Sequence, residues 1–307
     1  MTKTVLVAGA TGYLGKFAVR AFKQRGYRVR ALTRSETRLG QPGPFTAPRV
    51  TEFVDDIFVG EVTEPHTLYG LMDGVDYVFS SIGISRQRDG LSFEQIDHQA
   101  NRLLIDLAKR SGIDKFVYVS LWGQDEIAHL EIVRAHEKVV AALEDSGLSY
   151  CVVRPSGYFS DMGVLLDMAR KGRCFLVGAG ENHFNPIHGA DLAEVCVNAM
   201  ESEKREVGAG GPETMTQRDA AELAFEVLER PVRIVVLPLW LMRAGVKLIG
   251  MLNKQFGDLF EFIVTAGEID GVAPSVGKTT LRSYFEELSA DWPERKKNPG
   301  RPDAARP

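Results

Sequence analysis

Near the start of the 307-residue chain, Gly9-Ala10-Thr11-Gly12-Tyr13-Leu14-Gly15 places a glycine at every third position. Glycines so spaced let a chain turn tightly after a strand, let an anion approach the backbone, and let the following helix pack close to that strand. The free amides of the helix's first turn then receive a pyrophosphate. The flanking residues supply that setting. Residues 5–8, Val-Leu-Val-Ala, suit a strand buried on both faces. Residues 14–25 read as a helix with Leu14, Phe17, Ala18, Ala21 and Phe22 on one side, ended by Gly26. A second strand over 27–33 completes a β-α-β unit, the context that separates dinucleotide-binding glycines from an ordinary turn. That strand ends Leu32-Thr33-Arg34-Ser35. An NAD site places Asp or Glu here to hold the ribose 2′-hydroxyl. Arg34 instead offers a planar cationic fork to a 2′-phosphate, with Arg38 four residues on, so NADP(H) is expected over NAD(H).

The elements that must position these residues recur along the chain. Strands are predicted over 50–54, 76–81, 115–120 and 149–154, with helices over 65–72, 93–111 and 131–146 between them. Such alternation with right-handed crossovers predicts an α/β fold, a Rossmann-type doubly wound parallel sheet over 1–154. Past Pro155 the rhythm loosens into a smaller C-terminal substrate lobe, 155–290, with 183–200 packing back on the sheet. Helices are expected there over 162–171, 191–200 (Asp191 near its N-cap), 216–229 (capped by Thr216) and 280–288, and strands over 174–177 and 233–237. Residues 239–262 form an apolar, broken helical stretch. Its simplest reading is the helical core of that lobe; a lid over a hydrophobic substrate, or a surface at 237–262 for a protein partner, a dimer or a membrane, are the alternatives. Residues 291–307, rich in proline and charge, are expected to be disordered.

Composition narrows the classes. The chain is 44% hydrophobic and 25% charged, with formal net charge −4, and its pI is about 5.9. Nothing in this marks a nucleic-acid binder. Cys151, Cys174 and Cys196 are an odd number, far apart, among apolar neighbours, and read as small core residues in a reducing compartment. No metal site is expected: His183 and His188 frame Asn185-Pro186-Ile187 without ligand spacing. No transmembrane run and no leader are evident, so a cytoplasmic protein is expected. Gly277-Lys278-Thr279-Thr280 ends like a phosphate-binding loop, but its leading glycine is misplaced and no buried strand precedes it.

Taken with Val75-Asp76-Tyr77-Val78, Lys115-Phe116-Val117-Tyr118-Val119-Ser120, Ser146-Gly147-Leu148, Arg154-Pro155-Ser156-Gly157-Tyr158-Phe159, Asn185-Pro186-Ile187-His188 and Asp191-Leu192-Ala193, the glycine motif gives the chain a likeness. It resembles the atypical short-chain dehydrogenase/reductases of the NmrA-like group. The resemblance covers residues 4 to about 200. It implies that Glu61 and Val62 lie near the adenine, that Ser81, Ile82 and Gly83 pass the nicotinamide ribose, and that Pro155, Ser156, Tyr158 and Phe159 line the nicotinamide side.

The wider superfamily reduces carbonyls with Ser and a Tyr-x-x-x-Lys pair on one helix face. Counted back from Ser146-Gly147-Leu148, that pair falls on Ile132 and His136. The tyrosine is absent and histidine replaces lysine. Lys138 lies two residues off, rotated by roughly 200°, and reads with Arg134 as a surface charge. Ser120 remains, where the family keeps a hydroxyl near the substrate carbonyl. His136 is a candidate for a ribose contact or for acid–base work, against the plain alternative of a partly buried histidine with a backbone partner. Tyr158 and Tyr13 are candidate proton donors that read more simply as packing residues. The expected activity is reduction of a hydrophobic conjugated or aromatic molecule. The alternative is a non-catalytic NADP(H) sensor or assembly factor acting through a protein partner.

Overall fold

The structure, a computed structural model, describes residues 2–43, 45–83 and 90–290; the tail 291–307 lies outside the described residues. The chain first alternates β1 (Thr4–Ala8), α1 (Tyr13–Gln24), β2 (Arg28–Thr33), the one-turn α2 (Thr37–Gly40), β3 (Asp56–Val59), β4 (Tyr77–Ser80), α3 (Ala100–Ser111), β5 (Lys115–Val119), α4 (Glu131–Ser146) and β6 (Tyr150–Pro155). It continues through α5 (Phe159–Arg170), β7 (Cys174–Val177), β8 (His183–Phe184), α6 (Gly189–Glu201), β9 (Glu206–Ala209) and β10 (Met215–Thr216). It ends with α7 (Gln217–Val227), β11 (Ile234–Leu237), α8 (Leu239–Leu252), α9 (Lys254–Ala266) and α10 (Leu281–Ala290).

Seven strands form one parallel sheet in the order β3-β2-β1-β4-β5-β6-β9. Successive strand residues point to opposite faces. Val117 and Val119 therefore join the layer under α1 and α6, with Phe17, Phe22, Leu192 and Val197. Phe116 and Tyr118 join the layer under α3 and α4, with Leu104, Val139 and Leu143. β1, β5 and β6 are buried along their whole length, as parallel strands covered on both faces must be. β1 pairs with β2 on one side and β4 on the other, so the order reverses there and opens a crevice at the carboxyl ends of the strands.

A smaller lobe packs α5, α7 and α10 around Phe159, Leu166, Phe225, Tyr284 and Phe285. Thr216 caps α7 in a reciprocal box with Asp219. The cap of α6 is His188, whose Nδ1 accepts from the Ala190 amide at 3.3 Å, rather than Asp191. Asp191 instead accepts from the amides of Lys278 and Thr279 at 2.8 and 2.7 Å, so the phosphate-loop look-alike holds an internal carboxylate.

Four sequence expectations are corrected. The third strand is Asp56–Val59, and the expected 50–54 is a 3-10 turn, Thr51–Phe53. Val50 is fully buried outside any strand, while the true strand sits half exposed at the sheet edge, so apolar content favoured the wrong segment. The helix expected over 65–72 is a single 3-10 turn, Pro65–Leu68, followed by Gly70 and Gly74 in left-handed backbone. The helix expected from 93 opens with a π-helical segment, Glu94–Gln99. Residues 239–262 are not a core: α8 buries no residue, and α9 buries only Gly257 and Val264. The two helices break at Asn253, whose side chain caps α9, and cross at paired glycines, where a Cβ on Gly257 would lie 2.5 Å from Gly250 Cα.

Candidate functional site

The glycine turn leaves β1 at the switch point. Gly9 takes φ +87°, and its carbonyl accepts from the Gly12 amide at 2.9 Å. A Cβ on Gly15 would sit 1.9 Å from the Gly9 carbonyl oxygen, so only glycine lets α1 seat against the turn. Gly12 is exposed and precedes a helix with no side-chain cap and no acidic residue in its first turn. The amides there, beside half-buried Thr11, are thus offered to an anion. Leu14 is buried against the sheet. Tyr13 ties α1 to α6: its hydroxyl accepts from the Gly189 amide at 3.1 Å, its ring meets Tyr158 edge-on at 6.2 Å, and burial raises its phenol pKa.

Arg34 is exposed just past β2, its Nε 3.4 Å from a carboxylate oxygen of Glu61. The residues expected at the 2′-phosphate and at the adenine are therefore neighbours. Arg38 is exposed, and Val62 is half-buried against the second apolar layer. A residue the sequence did not single out organises this corner. Lys16, on α1 and 2% exposed, donates from Nζ to the carbonyls of Arg38, Leu39 and Gln41 at 3.0, 3.3 and 2.7 Å. Its ammonium ties α1 to the arginine-bearing segment. Burial pushes its pKa down to about 8. The consequences of titration have opposite signs. Between about 8 and the ordinary lysine value the unfolded chain binds the extra proton, so this group favours folding as pH rises. The neutral amine, however, keeps two hydrogens for three carbonyls. NADPH affinity is therefore expected to fall above about pH 8 while NADH affinity stays level, measured by titrating both nucleotides across pH 7 to 9.5 (roughly the window bounded by the two lysine pKa values).

At the other end of the crevice the Ser81 amide bonds the Ala8 carbonyl at 3.1 Å, placing Ser81, Ile82 and Gly83 beside the turn. A Cβ on Gly83 would lie 2.8 Å from Asp97 Oδ1 and 4.0 Å from His136 Nε2. His136 has side-chain partners rather than a backbone one. Nδ1 is 2.7 Å from the hydroxyl of buried Tyr118, and Nε2 is 3.2 Å from Asp97, which the π-helical segment carries inward. Neither partner was legible in the sequence. Ser120 leaves β5 with its Oγ accepting from Arg154 Nη1 at 3.2 Å. Arg154, 3% exposed, also grips Glu137 through two bonds (2.6 and 3.1 Å) and reaches Glu206 at 2.9 Å. Pro155 ends β6, and Ser156 Oγ donates to the Asn185 carbonyl at 2.6 Å. Tyr158 precedes α5, its phenol pKa raised by burial, and Phe159 is buried in the lobe. Lys138 pairs with Glu94 at the surface, at 2.8 Å. The three cysteines are buried and free. Among the described residues no cluster of metal-ligating side chains occurs, and no helix is long and apolar enough to cross a membrane.

A doubly wound parallel sheet with a glycine cradle at its switch point defines a Rossmann-type dinucleotide-binding protein. The chain belongs to the NAD(P)H-binding family, whose sequence profile matches residues 9–203. It is similar to the chloroplastic divinyl chlorophyllide a 8-vinyl-reductase of Zea mays, 27% identical over 93% of this chain and 79% of that protein. It is also similar to sanguinarine reductase of Eschscholzia californica, 28% identical over 66% of this chain and 85% of that protein. Among solved structures it superposes on an NADPH-dependent quinone oxidoreductase of Escherichia coli with TM-score 0.70 at 19% identity, covering 93% of this chain and 99% of the other.

Proposed function

We propose that the chain is an NADPH-dependent reductase of a hydrophobic conjugated or aromatic molecule, acting on a carbonyl or C=C bond. The observation that carries this reading is the Ser120–Arg154 contact. A hydroxyl whose oxygen already accepts from a buried guanidinium keeps its own hydrogen for an outside acceptor, such as an oxygen gaining negative charge. The glycine turn, which a side chain at Gly15 would force open, fits a dinucleotide. In this reading the first amides of α1 hold the pyrophosphate, Arg34 and Arg38 the 2′-phosphate, and Glu61 and Val62 flank the adenine. Ser81 to Gly83 border the ribose, and Pro155 to Phe159 border the nicotinamide. When bound, the cofactor supplies hydride; the chain orients the acceptor, excludes water and offers the Ser120 hydrogen. His136, with both ring nitrogens facing side chains, positions the Gly83 backbone through Asp97 rather than donating a proton itself. The two curated relatives act, by their names, on conjugated or aromatic compounds, which supports the substrate class.

The test is loss of reduced-nicotinamide absorbance with a panel of hydrophobic ketones, quinones and enones. Turnover with any member is expected, and Ser120→Ala should lower kcat about 100-fold with NADPH affinity unchanged. Arg34→Ala should weaken NADPH binding by roughly 10- to 100-fold, the worth of a charge-assisted bond, and leave NADH binding alone; unchanged NADPH affinity would remove Arg34 from the site. A second reading, an NADP(H) sensor or assembly factor, is favoured by Ile132 and His136 standing where a tyrosine–lysine pair would work. Tight NADPH binding without turnover across the panel is the result it expects.

A further inference from the structure

Helix α8 turns its apolar side outward. Trp240, Leu241, Leu248, Met251 and Leu252 are 71%, 47%, 58%, 77% and 83% exposed. At roughly 100° per residue these five span an arc of about 120°. Arg243 and Lys247 fall just beyond one edge of the arc, and the helix carries no acidic residue. Beyond the other edge α9 continues the apolar surface with Phe256 and Ile263, 50% and 53% exposed. Phe260 fills the seam, its ring 3.5 Å from where a Gly245 Cβ would stand. The hairpin is thus two-sided. One side is apolar from both helices; the other borders a cavity with Arg243, Lys247, Glu261, Glu268 and His129, where Arg243 also meets Glu268 at 2.7 Å.

A continuous apolar face of this extent signals an interaction surface. Its chemistry selects the occupant. A broad apolar arc, a tryptophan at one end and the exposed Lys247 at its edge, on a helix with no acidic residue, complement an acyl boundary topped by anionic headgroups. Neither helix can span a bilayer, so the hairpin would lie in the surface plane. Leu259 and Phe262 of α9 pack on the cluster of Ile127, Leu130 and Val133, in the segment that follows Ser120. The hairpin is therefore anchored, through α9, to the segment that follows Ser120.

We propose that the α8–α9 hairpin docks on an anionic lipid surface, with Trp240, Leu248, Met251 and Leu252 in the acyl boundary and Lys247 against headgroup phosphates. This does not depend on catalysis, and its test needs no turnover. The purified full chain is sedimented with vesicles of phosphatidylcholine, alone or with about one third phosphatidylglycerol. Binding is expected to the mixed vesicles, to weaken in high salt, and to be slight with phosphatidylcholine alone. The double variant Met251→Glu/Leu252→Glu, at two of the most exposed positions, should abolish binding while melting like the parent. Lys247→Glu should weaken binding about five-fold or more. Absence of binding to the mixed vesicles, or equal binding to both kinds, would overturn the proposal. So would a dimer in solution that the double variant splits, since the face would then be covered by a second copy.

Discussion

Gly15→Val should leave a chain that no longer binds NADPH and that melts several degrees lower. The new Cβ would stand 1.9 Å from the Gly9 carbonyl oxygen, 2.7 Å from its carbon and 3.0 Å from Ala10 Cα. All three are backbone atoms, so no rotamer relieves the clash. Either α1 lifts from β1, uncovering Phe17 and Phe22, or the turn opens and the amides lose their convergence. Overpacking costs about 1–3 kcal/mol where side chains can shift, and more where they cannot, against a total stability of about 5–15 kcal/mol. Gly12→Ala is the graded comparison. Its Cβ would lie 3.3 Å from the same oxygen, on the exposed lip of the turn, so melting should be near normal while NADPH affinity drops. Isothermal titration and thermal melting of the two variants separate the effects; a Gly15→Val protein with parental NADPH affinity would contradict the cradle.

Arg154→Met is expected to lose about 2–4 kcal/mol of stability and most reductase activity together. Breaking a buried ion pair costs about 3–5 kcal/mol because the remaining charge is stranded. Here the side chains of Glu137 and Glu206 are 35% and 49% exposed and regain some water, which lowers the figure. The loss of activity has a separate cause: Ser120 loses the donor that orients it, and Leu121 loses a bond to its carbonyl at 3.3 Å. Urea denaturation measures the first effect and kcat the second. Pairing the change with Glu137→Leu should recover part of the stability, since one stranded carboxylate is gone, and none of the activity.

The cofactor half was readable because its signals are local. A glycine motif between a buried strand and an amphipathic helix needs no long-range information, and α4 and β7 fall at the predicted residues for the same reason. The groups around His136 and Arg154 were not readable. Asp97, Tyr118, Glu137 and Glu206 come from four separate elements, and only the tertiary fold brings them to His136 and Arg154. Lys16 was not singled out because its acceptors are backbone carbonyls, which leave no mark in side-chain spacing. β9 escaped notice because four residues, Glu-Val-Gly-Ala, carry no alternation, and its Gly208 makes room for Trp122, whose ring would lie 2.6 Å from an added Cβ. Residues 239–262 misled in the other direction, since apolar periodicity cannot say whether a helix face meets a core or the outside.

The order in which the sheet is filled bears on how the chain is made. After β6 the chain leaves the sheet to build α5, β7 and β8, returns as α6 and β9, and leaves again. The last strand to join therefore ends at residue 209 of 307, behind a stretch that belongs to the other lobe. During synthesis the nucleotide-binding half cannot be completed when its first 155 residues have emerged from the ribosome. It waits with the sheet edge at β6 open and the floor under α6 bare until Ala209 has been translated, an interval in which a chaperone or a neighbouring nascent chain competes for the same edge.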